Sequence, residues 1–336
     1  MTLAIDPAHP LADRLDALGL HGPATHAGES TERAALMHGA TLHALRDESL
    51  VHVHGADAPA FLQGQFSNDI GLLGPDNAQW TSYCTPQGRV LAIPLAWKTA
   101  HGFLLAIPGD IAEPVVARLR RYVLRARVEL EDVTAQHVLL GVGGPEAASA
   151  VTAVTGAAPH GDLGRTVGRH AETCCRLHAS LFLLAVPIAQ ALTLWDECAQ
   201  RCVPASERAW HWHLLQARIP RLGRVLQERF VPQMLGLEQL GAISFDKGCY
   251  PGQEIVARAQ YRGQVKRRLV VLHAPDGPLL PGQDILRADG SAAGTLVDAA
   301  PAPGGGWDAL AVVQTDSLDE PGLHAAGANA TLTVIG

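Results

Sequence analysis

Lysine is nearly missing from this 336-residue chain: Lys98, Lys247 and Lys266 are all there is, and arginine supplies the rest of the 26 basic side chains. A compact ammonium cannot be exchanged for a planar guanidinium at a tight site, so each lysine is a position to watch. Long apolar runs are missing too. The most apolar region, Val90 to Pro108, is interrupted by Pro94, Lys98, His101 and Gly102, which excludes a bilayer span and predicts two strands. The six cysteines include no Cys-x-x-Cys pair. Cys174 and Cys175 are adjacent, and Cys198 and Cys202 stand four apart on a predicted helix, so neither a zinc site nor a cluster-binding run is expected. Asp6, Asp13 and Asp16 stand where a secretory leader would need a basic region and an apolar run. Reduced thiols in a cytoplasm are therefore expected, with no membrane partner. A net positive charge is also lacking. The formal charge of −7 argues against direct nucleic-acid binding.

At 47% hydrophobic and 18% charged, the chain can bury two or three cores. Its densest chemistry is Phe245-Asp-Lys-Gly-Cys-Tyr-Pro-Gly-Gln-Glu-Ile-Val-Ala-Arg258. Gly248 and Gly252 permit positive φ and close backbone approach, and Pro251 suits a first helical turn. Good helix formers follow from Gln253 to Gln260, so Cys249 is predicted at or just before a helix N-terminus. There the macrodipole, and Lys247 if the side chains converge, would favour a thiolate.

Elsewhere the signals are structural. Residues 1–45 read as a helical lead, with Leu11, Leu15, Leu18, Leu36, Leu42 and Leu45 as its apolar positions. Leu50 to His54 alternates like a strand, and Asp57 is a predicted N-cap for a helix over 58–66. His52 and His54 would share one strand face, but no carboxylate or third ligand is evident, so no metal site is assigned. Strands are predicted over 80–85, 89–97 and 103–107, with the turn Pro86-Gln87-Gly88 between the first two, and helices over 111–124 and 188–202. Ser206 is a predicted N-cap for a helix over 206–219. Trp210 and Trp212, two apart on that helix, must face different ways. After Lys266-Arg267-Arg268 come short strands with Pro/Gly turns and an Asp289-Gly290 hairpin, the pattern of a small barrel. Two arginine-rich stretches stand out, one over 118–127 and one from Arg258 through Arg262 to Arg268; the second could bind an anion beside the cysteine motif.

Three stretches resemble the YgfZ-type folate-binding proteins: Gly55-Ala56-Asp57 with Phe61-Leu62-Gln63-Gly64-Gln65 and Asn68-Asp69; Arg229-Phe230-Val231-Pro232-Gln233 with Leu237 to Phe245; and Lys247 to Glu254, continuing to Arg268. That family is implicated in iron–sulfur cluster assembly or repair and is related in fold to the glycine cleavage T-protein, an aminomethyltransferase. The resemblance implies an α+β, T-protein-like fold in three parts: two interleaved α+β lobes around a central cavity, plus a C-terminal β-barrel. The expected division is 1–45 helical lead, 46–135 first lobe, 136–205 second lobe, 206–265 folate-associated helix and motif segment, and 266–336 barrel.

It further implies a tetrahydrofolate or related reduced folate as ligand, and iron–sulfur assembly machinery or client proteins as partners. Cys249 would be the functional thiolate, with Lys247 and Tyr250 tuning it. Gly248, Gly252, Gln253 and Glu254 would shape the loop, and Arg258 would orient the helix or bind an anion. Trp210 matches a tryptophan associated with folate binding. Gln216 stands where the T-protein has a glutamate that can accept two pterin hydrogen bonds; an amide offers one acceptor oxygen, so a different pose is expected. Gly236 replaces a common asparagine and Pro251 a common threonine. The T-protein's catalytic aspartate has no counterpart in Gly88-Arg89-Val90-Leu91-Ala92, which weighs against aminomethyl transfer. The expectation is thus a folate-binding accessory protein for cluster assembly, with a one-carbon transferase and a ligand-free scaffold for tRNA-modification or cluster-maturation partners as alternatives.

Overall fold

The computed structural model describes residues 11–13, 29–262, 266–327 and 331–335. Helix α1 (Glu29–His38) leads into strand β1 (Thr41–Ala44), then β2 (Glu48–His54) and α2 (Ala58–Gln65). Residues 41–44 are therefore a strand and not part of a helical lead. Leu42 and Ala44 enter one core while Thr41 and His43, on the opposite face, are held by hydrogen bonds. Leu15 and Leu18 lie outside the described residues. Asp57 does not cap α2 with its side chain. Its carboxylate accepts from the Arg127 backbone N–H at 2.8 Å instead.

The first sheet follows: β3 (Ala78–Trp80), the short pair β4 (Tyr83–Cys84) and β5 (Val90–Ala92), β6 (Leu95–Thr99), β7 (Gly102–Pro108), helix α3 (Gly109–Arg120) and β8 (Glu129–Asp132). Its strand order is β3-β6-β7-β2-β8, with β4-β5 apart. The apolar stretch predicted as two strands is three, because Pro94 has no N–H and divides β5 from β6. The second sheet takes β9 (His137–Gly143), then α4 (Ala147–Thr155), β10 (Arg165–Val167), β11 (Thr173–His178), β12 (Leu181–Pro187), α5 (Ala191–Ala199) and β13 (Val203–Pro204). Its order is β10-β11-β12-β9-β1-β13. Strand β1 precedes the first sheet in sequence yet pairs antiparallel with β9 and parallel with β13. That crossing interleaves the two lobes.

Helices α6 (Glu207–Gln216) and α7 (Gln253–Arg262) then precede the third sheet: β14 (Arg267–Ala274), β15 (Asp284–Leu286), β16 (Ala292–Pro301), β17 (Trp307–Gln314), β18 (His324–Ala325) and β19 (Thr333–Val334). Gly290 adopts φ +82° in the predicted hairpin between β15 and β16, where most side chains would be strained.

Period-two alternation decides where the cores lie. Along β7, Phe103, Leu105 and Ile107 pack beneath α2 and α3, while Leu104 and Ala106 point to the other lobe. Along β12, Phe182, Leu184 and Val186 pack under α4 and α5, while Leu183 and Ala185 point back. Both inward rows meet Trp210 and Leu214 of α6 and the barrel residues Val271, Leu310 and Val312 in one central core. Helix α6 therefore sits where all three parts touch.

Candidate functional site

The three stretches that carry the sequence signature converge in space. Residues 241–247 lie along the turn that follows α2. Ser244 N–H donates to Ser67 O at 3.0 Å, Ser67 Oγ donates to Ala242 O at 2.8 Å, and Asn68 Nδ2 donates to Gly241 O at 2.7 Å. Lys247 is buried and spends all three N–H donors on backbone carbonyls, those of Gln63 (2.6 Å), Phe66 (2.6 Å) and Asn68 (2.8 Å). Its Nζ also lies 5.4 Å from the ring centre of Tyr250. Burial lowers its pKa to about 8, opposed by the Asp69 charge. Lys247 therefore has no N–H left for the Cys249 sulfur, and its place in the loop is that of a clamp. Only a flexible stem ending in a three-donor point charge fits a three-carbonyl cradle, which is why arginine does not stand here.

Gly252, at φ +83°, presses against the Pro86-Gln87-Gly88 turn. A Cβ on it would lie 2.6 Å from Thr85 O and 2.7 Å from Gly88 Cα. Gly248 differs from expectation: it is not among the positive-φ residues, and a Cβ there would meet open space. Helix α7 begins at Gln253, so Cys249 sits four residues before it, on the turn and not at the helix terminus. Gln253 N–H donates to Tyr250 O at 3.2 Å, closing that turn. Glu254 and Arg258 are exposed and form an i,i+4 pair at 3.9 Å. Gly236 takes φ +67°, a left-handed conformation that asparagine tolerates next best.

Cys249 is exposed, and the other five cysteines are buried. Burial raises the thiols of Cys84 to about 11 and of Cys175, Cys198 and Cys202 to about 12. Cys174 moves the same way. Tyr250 is buried close enough to Cys84 to feel its charge, and burial raises its phenol as well.

Helix α6 builds the second region. Ser206 caps it, its Oγ accepting from Ala209 N–H at 3.3 Å. Trp210 and Leu214 face a hollow between the lobes, shared with Trp80, Leu95, Leu183 and the Glu48–Arg221 ion pair. The Nε1–H of Trp80 is buried without a hydrogen-bond partner among the described residues. Two indoles and an orphaned donor suit a flat heteroaromatic ring. The space is about 50 Å3, enough for a few waters. Sites for small molecules begin near ~300 Å3, so a pterin enters only if the walls part. Among the described residues one carboxylate lines the hollow, that of Glu48, and it is held by Arg221 Nε at 2.5 Å. Strand β5, the counterpart of the run that carries the T-protein's aspartate, is apolar and buried.

Gln216 lies away from this hollow. Its Nε2 donates to Asp308 Oδ2 at 3.0 Å, beside Trp212 Nε1 at 2.8 Å, and His273 Nδ1 lies 2.9 Å from Asp308 Oδ1. Trp210 and Gln216, both expected at one ligand, do not line the same hollow. Six residues apart, they project from different sides of the helix.

Sequence reasoning missed a buried ionic cluster on the same helix. His211 lies 3.2 Å from Asp298 of β16, and Glu207 and Arg221 adjoin them around a cleft of about 410 Å3. Burial opposes charge on His211, but Asp298 overcomes it and raises the pKa. Burial, reinforced by the Asp47 charge, raises Glu207 to about 7. His213 turns the other way, Nε2 to Thr41 Oγ1 at 2.9 Å, and Thr41 Oγ1 lies 2.8 Å from His43 Nε2. His43 Nδ1 lies 2.8 Å from Ser206 O and must donate to it, while Thr41 Oγ1, which donates to Gly143 O at 3.0 Å, sits between the two Nε2 atoms. The partners stand 87 to 172 residues away, too far for local pattern to reveal.

This architecture, two interleaved lobes closed by a C-terminal sheet, defines the aminomethyltransferase fold. The structure superposes on the glycine cleavage system aminomethyltransferase T from Bartonella henselae with a TM-score of 0.80, covering 100% of this chain and 97% of that one at 18% identity. Residues 17–176 match the GCVT N-terminal domain family, and residues 266–335 match the CAF17 C-terminal beta-barrel domain. The chain is 32% identical over 241 residues to the "tRNA-modifying protein YgfZ" of Serratia proteamaculans, covering 70% of this chain and 72% of that protein. It is 30% identical over 249 residues to the protein of the same name from Shigella sonnei, covering 73% and 76%. The chain belongs to the YgfZ family.

Proposed function

We propose that this protein is a folate-binding accessory factor in iron–sulfur cluster assembly or repair, acting through the exposed Cys249 thiol and supporting the tRNA modification for which its relatives are named. One observation carries the reading: of six cysteines, only the one on the clamped motif turn reaches solvent, while burial disfavours ionisation of the others. A reduced folate would enter the hollow beside Trp210 and Trp80 by parting its walls, with the Trp80 N–H supplying a hydrogen bond. The folate would bring a one-carbon carrier. The residues bind and orient it, and among the described residues no free carboxylate lines the hollow to move its protons. Aminomethyl transfer is therefore disfavoured.

Two measurements separate the parts of this reading. Reduced folate titrated into the protein should quench tryptophan fluorescence, and Trp210→Phe should remove most of the quench. No quench and no calorimetric heat at millimolar folate would reject the ligand. Independently, Cys249→Ser should abolish complementation of a strain defective in cluster-dependent tRNA modification while leaving the folded protein at normal levels. Full complementation would remove the thiol from the mechanism.

A further inference from the structure

Strand β2 carries His52 and His54 on one face, and edge strand β8 runs antiparallel beside it. The register sets His52 opposite Glu131 and His54 opposite Glu129. Residues directly opposite on neighbouring strands share a face, so Glu131 falls on the side of both imidazoles. Its Oε1 lies 3.6 Å from His54 Nε2. The two rings stack with centroids 4.7 Å apart and planes 25° from parallel. One ligand atom from each of His52, His54 and Glu131 falls within 4.8 Å of the others. His101 and His137 are near enough for their charge to be felt at His52.

We infer that His52, His54 and Glu131 form a binding site for one divalent transition-metal ion, of the zinc, cobalt or nickel class. Four-coordinate zinc at about 2.0 to 2.1 Å from each ligand requires ligand atoms roughly 3.3 Å apart. Closing the present spacing to that value takes rotation about χ2 of the histidines, which turns the stacked rings toward each other, and along the Glu131 stem. Two neutral imidazoles and one carboxylate make a borderline donor set that favours these ions over calcium or magnesium. Three protein ligands leave at least one position open to water or an exogenous ligand. Side-chain exposures of 25% for His54 and 52% for Glu131 leave that position accessible from solvent. Gly102 underlies the site: a Cβ there would lie 2.9 Å from that of His54, so the approach of β7 requires glycine. The site is independent of the folate reading and shares no residue with it.

The test is titration of metal-free protein with Co2+, read by its ligand-field absorption, with Zn2+ as competitor. Cys249→Ser serves as the background that removes the exposed thiol as a rival ligand. One equivalent should bind, and since loss of a ligand costs at least what loss of an outer-shell partner does, His54→Ala should weaken binding by about 100-fold or more and Glu131→Gln by about 10-fold or more. Because a strand variant can lose its fold, a second reading uses the unaltered chain: Zn2+ should shift the imidazole NMR resonances of His52 and His54 first. Unchanged affinity in His54→Ala, first shifts at other histidines, or cobalt binding lost in Cys249→Ser would overturn the site.

Discussion

The turn that carries Cys249 and the helix that carries Trp210 are both held rigidly, but by opposite means. Backbone does the holding at the turn: three carbonyls grip Lys247, and Gly252 lies against the backbone of residues 85–88. Side chains do it at α6, with Asp298 and Asp308 from the barrel, Thr41 from the second sheet and the walls of the hollow each taking one side. A backbone cradle stays the same across the pH range because carbonyls do not titrate. A lattice of buried imidazoles and carboxylates does not, so the two regions should fail under different stresses.

Acid is the stress that should separate them most. His43 and His213 have folded pKa values of about 4 and about 3, lowered chiefly by burial, against 6.5 when free. The unfolded chain therefore binds more protons below 6.5. Their contribution is complete above that pH and is lost as pH falls toward 4, at about 1.4 kcal/mol per pH unit for each ring. Between pH 7 and 5 the pair should cost about 4 kcal/mol, readable as a drop in urea midpoint. Glu207, raised to about 7, works the other way as pH falls through this window, so the comparison is made in Glu207→Gln: equal stability of that variant at pH 5 and 7 would show that the rings are not held neutral. Lys247, charged throughout this window, adds nothing to that slope.

At the turn the expected effects are somewhat smaller and independent of acid. Lys247→Met strands three buried carbonyls and should cost about 3 kcal/mol at pH 7. Gly252→Ala forces a Cβ into backbone at positive φ and should cost about 2 to 3 kcal/mol, whereas Gly248→Ala should stay within about 0.5 kcal/mol. Equal losses for the two glycines in chemical denaturation would remove the backbone contact from the account.

The same division governs what the sequence could reveal. The turn was legible because its requirements are local and residue-specific: a lysine in a chain with three, a glycine at a close approach, a cysteine in a dense run. The strand at 41–44 was not, since four residues after a helix show no period until their partners in β9 and β13 are known. Gln216 could be placed by resemblance but not aimed, because Asp308 on the far barrel decides its direction. Glu131 was invisible as a companion to His52 and His54 for the same reason: strand register, not sequence distance, puts it there.

The smallest energetic effect is the most informative about function. Cys249→Ser should change stability by less than about 0.5 kcal/mol, since an exposed side chain with no buried contacts has little to lose. Its chemical effect should be total. A thiol reagent at neutral pH should modify one sulfur per native chain and none in the variant, with the other five reacting only as the chain unfolds. Reaction requires both access and a thiolate, and the buried sulfurs lack access while burial also disfavours their ionisation. If the variant still reacts quickly, a buried thiol is reaching solvent through a local opening. The contrast between a rigid turn presenting one sulfur and a closed core hiding five would then fail.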